Sequence, residues 1–127
     1  MSEGSEAQPD PVAEAWNAIR ALSPDLIDKA LVEAAYADDV IRSLFPMVSH
    51  GSLQFSRCTR FPWSRDLPSV FPNGSAGFRV MRLHEPGNST IGEVLSADEA
   101  VRMVRDNLPV GCGPAVDGTP DDLPPLS

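Results

Sequence analysis

S-H-G-S-L-Q-F-S-R-C-T-R-F-P-W, residues 49–63, is the stretch at which the apolar pattern of this chain changes. The residues before it follow the spacing of helices, and those after it suit a small sheet and one closing helix. Within the stretch, Ser52 to Thr59 alternate between apolar and polar side chains, which predicts a strand with one buried face. The change of period predicts an α+β domain.

Three helices are predicted before this stretch. Asp10-Pro11 is a typical helix start, and apolar residues then recur at helical spacing. Ser23-Pro24 repeats the start signal and predicts a second helix. A third, short helix is predicted with Asp38 or Asp39 as its cap, and Pro46 is expected to end it.

Two more strands and one helix are predicted after the stretch. Residues 60–76 are expected to form an ordered loop, since they combine several prolines with aromatic and aliphatic residues. The next strands should be residues 77–84 and 89–95, with Gly92 marking a bulge. Residues 96–99, S-A-D-E, form a capping box that begins the last helix. We expect N-terminal helices packed on a mostly antiparallel sheet of about three strands, closed by this helix.

The length of 127 residues is suited to one domain. Because proline and glycine concentrate near the ends, we expect a flexible N-terminal tail at 1–10, the α+β domain at 11–109 and a flexible tail at 110–127. No apolar run is long enough to span a membrane, and the first residues lack a secretion signal. We therefore expect a cytoplasmic protein.

The net charge of −8 argues against nucleic-acid or anionic-membrane binding, because both partners require a basic surface. The charge is divided unevenly, since residues 40–84 carry six arginines and one acidic residue. This positive middle is either neutralised by its acidic flanks or forms a site for an anion or an acidic surface.

Four residues of the middle segment form the candidate ligand-binding site: Arg57, Arg60, Trp63 and Arg65. Guanidinium groups bind carboxylates and phosphates, and the indole supplies a stacking wall. The predicted ligand is an anionic small molecule or an acidic protein surface. In the alternative interpretation, Trp63 fills the core and the arginines point outward or pair with acidic residues.

Cys58 and His50 are the candidate catalytic residues. Arg57 and Arg60 flank the thiol in sequence and would favour its thiolate, for which His50 would be the base. The alternative is a buried cysteine that acts as a small apolar residue. The histidines and the two cysteines, Cys58 and Cys112, lack metal-ligand spacing, so we expect neither a metal nor a cofactor.

A longer motif resembles a known family. Residues 44–59, L-F-P-M-V-S-H-G-S-L-Q-F-S-R-C-T, followed by P-W-S at 62–64, resemble small actinobacterial proteins of unknown function that are commonly labelled "natural product biosynthesis protein". Similar segments at 34–36 and 96–100 extend the resemblance over residues 12–109. The resemblance implies a setting in natural product biosynthesis and supplies no catalytic residue.

Three functions are compatible with these patterns. The first is a non-catalytic binding or accessory module, which the lack of a recognisable catalytic motif favours. The second is an enzyme that uses Cys58 and His50 on a natural-product intermediate. The third is a toxin-neutralising immunity protein, since small acidic single domains often have that role.

Overall fold

The computed structural model describes residues 10–64, 67–73, 77–82, 90–109 and 111–123. The helices in these ranges are α1 (Pro11–Arg20), α2 (Lys29–Ala37), α3 (Asp39–Arg42), α4 (Ala97–Asp106) and a 3-10 helix at Pro120–Asp122. The strands are β1 (Phe45–Ser49), β2 (Ser52–Ser56), β3 (Ser69–Pro72), β4 (Phe78–Met81) and β5 (Thr90–Val94). Of the helices described, none has the length and apolar character needed to cross a membrane.

The sheet has more strands than the three that the sequence predicts. Within the described residues, five strands pair antiparallel in chain order, from β1 at one edge to β5 at the other. The α+β class is confirmed, and the strand number is corrected by the addition of β1 and β3. Pro46 lies inside β1 and does not end a helix, because an edge strand tolerates a residue that lacks an N–H. Strand β3 is only four residues long and lies inside the expected loop.

One face of the sheet carries the core. Leu53, Val70 and Val80 are partners across the three central strands, and each is fully buried. Gly92 continues this row on β5, where a Cβ would lie 2.8 Å from the Met103 Cε of α4. The register shifts beside Gly92, which confirms the predicted bulge. A Cβ at this position would require the Met103 side chain to move, which a flexible thioether can do at low cost.

Helix boundaries follow the capping carboxylates. Asp10 Oδ1 accepts two backbone N–H bonds of 3.0 and 3.3 Å at the start of α1, and Asp38 caps α3 with bonds of 2.9 and 3.0 Å. The second helix begins at Lys29 and not after Pro24, because Asp28 is the residue that caps it. Helix α4 begins at the predicted capping serine, whose Oγ accepts from a backbone N–H at 3.1 Å.

Trp16 joins α1 to the remainder of the core. Its side chain is 1% exposed and meets the Tyr36 ring edge-on, with 5.6 Å between the ring centroids. The indole Nε1 donates to the carbonyl oxygens of Arg42, at 2.9 Å, and Leu44, at 3.1 Å. These two bonds hold the chain that connects α3 to β1 against α1.

The segment after α4 packs on the domain. Residues 111–123, which we call the C-terminal segment, lie in the region where composition predicts a flexible tail at 110–127. Instead, Val116 donates its N–H to the Arg57 carbonyl at 2.8 Å and accepts from the Thr59 N–H at 3.1 Å. Because backbone groups form this pairing, it does not require an apolar pattern from which it could be predicted.

Candidate functional site

Two buried serines shape the loop that carries the predicted site. Residues 57–64, which we call the arginine–aromatic loop, begin directly after β2. The Oγ of Ser56 accepts from the N–H groups of Cys58, at 3.1 Å, and Ser64, at 3.0 Å. The Oγ of Ser64 in turn accepts from the Arg57 N–H at 2.7 Å. These bonds join the two ends of the loop, and β2 therefore ends before the predicted limit at Thr59.

The aromatic residues of the loop form an exposed surface. Trp63 stacks on Phe45 of β1 with 5.3 Å between the ring centroids and an angle of 19° between the ring planes. Phe61 meets Trp63 edge-on at 6.3 Å and is 74% exposed. We call these three residues the aromatic patch. Trp63 is half-buried against the sheet face opposite the helices, and so it does not fill the main core.

The predicted arginines occupy different environments. The Arg60 side chain is 68% exposed, and its Nε lies 3.8 Å from Asp117 Oδ1 on the C-terminal segment. Thr59 Oγ1 donates to the same carboxylate oxygen at 2.7 Å and holds it in place. Arg57 is half-buried at the start of the loop. Arg65, the fourth predicted residue, lies outside the described residues.

Neither of the two cavities beside the described part of the site combines two of the predicted arginines. The cavity beside Trp63 has a volume of about 50 Å³, enough for a few water molecules, and none of the residues that line it is an arginine. A more open groove of about 230 Å³ contains Arg60, together with the acidic residues Glu14 and Asp117. The described part of the site is therefore an open surface, on which Glu14 and Asp117 lie near the exposed guanidinium group of Arg60.

The two candidate catalytic residues are not brought together. Cys58 is fully buried, and its Sγ lies 3.4 Å from Ser56 Oγ and donates to the Arg60 carbonyl at 3.6 Å. His50 is exposed in the turn at the opposite end of β2. At about 3.3 Å per residue, the five residues of β2 span roughly 17 Å. His84 lies outside the described residues.

His50 has a conformational role in the hairpin between β1 and β2. It forms the two-residue turn together with Gly51, and their φ angles are 52° and 81°. Two successive positive φ angles are typical of the type I′ turn, whose twist matches that of the paired strands. Among the described residues, no group of three or more histidine, cysteine or acidic side chains is placed to hold a metal ion.

Two residues that complete this surface are not among those that the sequence predicts for the site. Phe45 was assigned to a helix, yet its ring lies beneath Trp63. Asp117 was assigned to a flexible tail, yet it faces Arg60. The F-P-W run at 61–63 was the available signal for exposed aromatic residues. No local signal could identify their partners, which lie far away along the chain.

Comparison with known proteins identifies a family and no activity. Residues 10–119 match the profile of a protein family described as "Family of unknown function (DUF6193)". This range includes α1 to α4, β1 to β5 and most of the C-terminal segment, and it ends before the 3-10 helix. No curated protein and no solved structure matches the chain.

Proposed function

The chain belongs to this family of unknown function, and we propose that it is a non-catalytic binding module for an acidic protein surface. In this proposal the aromatic patch is the centre of the contact. Arg57 and Arg60, which belong to the same loop as Phe61 and Trp63, attract carboxylates of the partner.

The exposure of Phe61 on an anchored loop is the observation that carries the proposal. A phenylalanine with 74% of its surface exposed gains apolar burial when a partner covers it. Ser56 and Ser64 hold the loop through buried hydrogen bonds, which lowers the conformational entropy that binding would remove. Aromatic residues and arginine are also the types most enriched at interface centres.

A protein surface fits this geometry better than an anionic small molecule. Small-molecule sites usually enclose about 300–1,000 Å³, whereas the cavity beside Trp63 has about 50 Å³. The pair formed by Arg60 and Asp117 is exposed on both sides. Exposed pairs of this kind contribute only about 0–1 kcal/mol, so a partner carboxylate can compete with Asp117 for the guanidinium group.

The resemblance of residues 44–59 to proteins labelled "natural product biosynthesis protein" indicates the process in which this binding would take place. It supports an accessory protein of natural product biosynthesis, whose partner would be an acidic protein of the same process. The alternative enzyme would require His50 to reach the Cys58 thiol, and these residues stand at opposite ends of β2. Rapid alkylation of Cys58 in the native protein would contradict the non-catalytic assignment.

The first experiment compares partner capture by wild type and by Phe61→Ala/Trp63→Ala. Tagged proteins are incubated with lysate of the native host, and retained proteins are quantified by mass spectrometry. We expect one acidic partner to be retained by wild type and lost from the double variant. Leu95→Ala is the matched control, since Leu95 is also an exposed apolar residue, at 79%, and lies outside the patch. Equal retention by all three proteins would refute the assignment of the patch.

The second experiment tests the arginines with the isolated partner. Because exposed charges outside the interface centre contribute up to about 1 kcal/mol each, Arg57→Ala/Arg60→Ala should weaken binding by about tenfold, mainly by slowing association. Thermal stability should stay nearly unchanged. Arg102→Ala on α4 serves as the control for a lost surface charge. Binding that survives the double substitution and does not respond to salt would exclude recognition of an acidic surface.

A further inference from the structure

A second concave site shares no residue with the aromatic patch. It lies between the first turns of α1, the junction of α2 and α3, and the C-terminal segment, and we call it the α1–α3 cleft. Its volume is about 470 Å³, within the range of about 300–1,000 Å³ that is usual for small-molecule sites. The lining residues are Asp10, Val12, Ala13, Trp16, Tyr36, Asp39, Arg42, Ser43, Pro114 and Ala115.

The apolar wall of the cleft is held in place by contacts within the protein. The edge-on contact between Trp16 and Tyr36, and the two bonds of the indole N–H to backbone carbonyls, set both rings. Opposite them, Ala115 donates its N–H to the Ser43 carbonyl at 2.8 Å, which brings the C-terminal segment to the edge of the cleft. The cleft is therefore largely formed before any ligand binds.

The charged groups that line the cleft favour a cation. Its lining contains two carboxylates, Asp10 and Asp39, and one guanidinium, Arg42. Arg42 Nη1 already donates to the Tyr36 carbonyl at 3.0 Å, and its Cζ lies 5.5 Å from the centroid of the Tyr36 ring. Part of the donor capacity of Arg42 is thus used within the protein. Arg20 Cζ already lies 4.1 Å from the centroid of the Tyr36 ring, and Asp10 Oδ1 accepts two backbone N–H bonds at the start of α1. The exposed carboxylate of Asp39 is therefore the group that attracts a positive ligand to the cleft.

We propose that the α1–α3 cleft binds a small organic amine, with a protonated nitrogen attached to an apolar body. The ammonium group pairs with the Asp39 carboxylate and lies near Asp10 at the mouth of the cleft. The apolar body packs against Tyr36, Val12 and Ala115, where it removes apolar surface from water. This proposal does not rest on the proposed binding of a protein by the aromatic patch.

The test uses three probes that differ mainly in charge: phenethylamine, 3-phenylpropionate and N-acetylphenethylamine. Each is titrated into the full-length, isotope-labelled protein, and amide chemical shifts are followed by NMR. We expect phenethylamine to shift the amides of Val12, Ser43 and Ala115, with a Kd of about 1 mM or lower. The anionic and neutral probes should bind at least about tenfold more weakly, because they lack the charge-assisted contact.

A matched pair of substitutions assigns the charge. Asp39→Asn should weaken phenethylamine binding by about tenfold, and it leaves the α3 cap intact because Asp38 is the capping residue. Asp98→Asn removes a carboxylate on α4 that is exposed, as Asp39 is, and should leave the affinity for phenethylamine unchanged. Thermal unfolding of both variants confirms that they are folded.

Three results would overturn the proposal. The first is the absence of phenethylamine binding, and the second is equal or tighter binding of the anionic or neutral probe. The third is an unchanged affinity in a folded Asp39→Asn variant. None of these results bears on the aromatic patch, whose test uses a protein partner and different variants.

Discussion

The hydroxyl group of Ser56 holds the arginine–aromatic loop in its conformation. Ser56 is fully buried and accepts hydrogen bonds from two backbone N–H groups of the arginine–aromatic loop. A buried N–H without an acceptor loses the hydrogen bonds that it would make in water. The loop that presents Phe61 therefore depends on one oxygen atom beneath it.

Ser56→Ala should consequently destabilise the protein. The substitution leaves the N–H groups of Cys58 and Ser64 without this acceptor, at a cost of about 1–3 kcal/mol in the free energy of unfolding. Urea denaturation followed by circular dichroism measures the change. Ser49→Ala, at an exposed position of β1, is the control and should change stability by less than about 0.5 kcal/mol. Equal effects at the two positions would mean that the hydrogen bonds do not hold the loop.

The ion pair between α1 and α2 makes stability depend on pH. Arg20 donates to both carboxylate oxygens of Glu33, at 3.0 and 3.2 Å. This hydrogen bond, more than the charge of Arg20 alone, lowers the pKa of Glu33 below its ordinary value of 4.5. A lowered pKa in the folded state stabilises the protein above the pKa of the unfolded state. The contribution is lost as pH falls through the folded-state value.

Comparison of wild type with Glu33→Gln at two pH values tests this linkage. At pH 7 the wild type should be slightly more stable in urea, and the difference should shrink as pH falls below the unfolded-state pKa and through the lower folded-state pKa of Glu33. The expected difference is small because both side chains are largely exposed to solvent. A difference that stays constant from pH 7 to pH 3 would show that the pair does not titrate as described.

At the scale of elements, the hairpin of β1 and β2 depends on its turn. Gly51 has a φ of 81°, and the nearest atom to an added Cβ would be Pro72 Cγ at 3.8 Å, an ordinary contact. Any cost of a side chain at this position is therefore conformational and not steric. The hairpin also places Phe45 and Trp63 together, so the turn acts on the aromatic patch through β1.

Gly51→Ala should lower the free energy of unfolding by about 1–2 kcal/mol, the cost of placing a residue with a Cβ at positive φ. Gly113→Ala is the matched control, because a Cβ there would have no atom within 4 Å and no positive φ is involved. We expect this control to be near neutral in the same thermal or urea denaturation. If both variants lose the same stability, the turn is not the cause.

At the scale of the whole molecule, the C-terminal segment completes the domain. It pairs with the arginine–aromatic loop through Val116, positions Asp117 beside Arg60, and supplies Ala115 to the α1–α3 cleft. Both proposed sites therefore include residues from this segment, although helices and strands elsewhere in the chain form most of the core.

Truncation after Pro109 should destabilise the protein and increase the reactivity of Cys58. Five hydrogen bonds between described residues join the segment to the loop. At about 1 kcal/mol each, the expected decrease is about 5 kcal/mol. Differential scanning calorimetry measures the stability, and alkylation followed by mass spectrometry measures the thiol. Arg102→Ala, which removes an exposed side chain of α4 and leaves the segment intact, is the control and should behave like wild type. An unchanged transition in the truncated protein would contradict the structural role of the segment.

The elements that sequence analysis predicted well are those with local signals. Asp10 and Ser96 mark helix starts through bonds to residues two or three positions away, and Gly92 marks the bulge at its own position. The strands β1 and β3 lack such signals. Phe45 continues a helical pattern that Pro46 is expected to end, and both become strand residues because β2 pairs with them.

The α+β class, the start of α1 and the capped helix α4 could be predicted from the sequence, because each depends on spacing within a few residues. Tertiary structure alone decided the five-stranded order, the docking of residues 111–123, the separation of His50 from Cys58 and the stacking of Trp63 on Phe45. These features depend on backbone hydrogen bonds and packing between residues distant in the chain. Such contacts form between almost any residue types, and the local sequence therefore does not predict them.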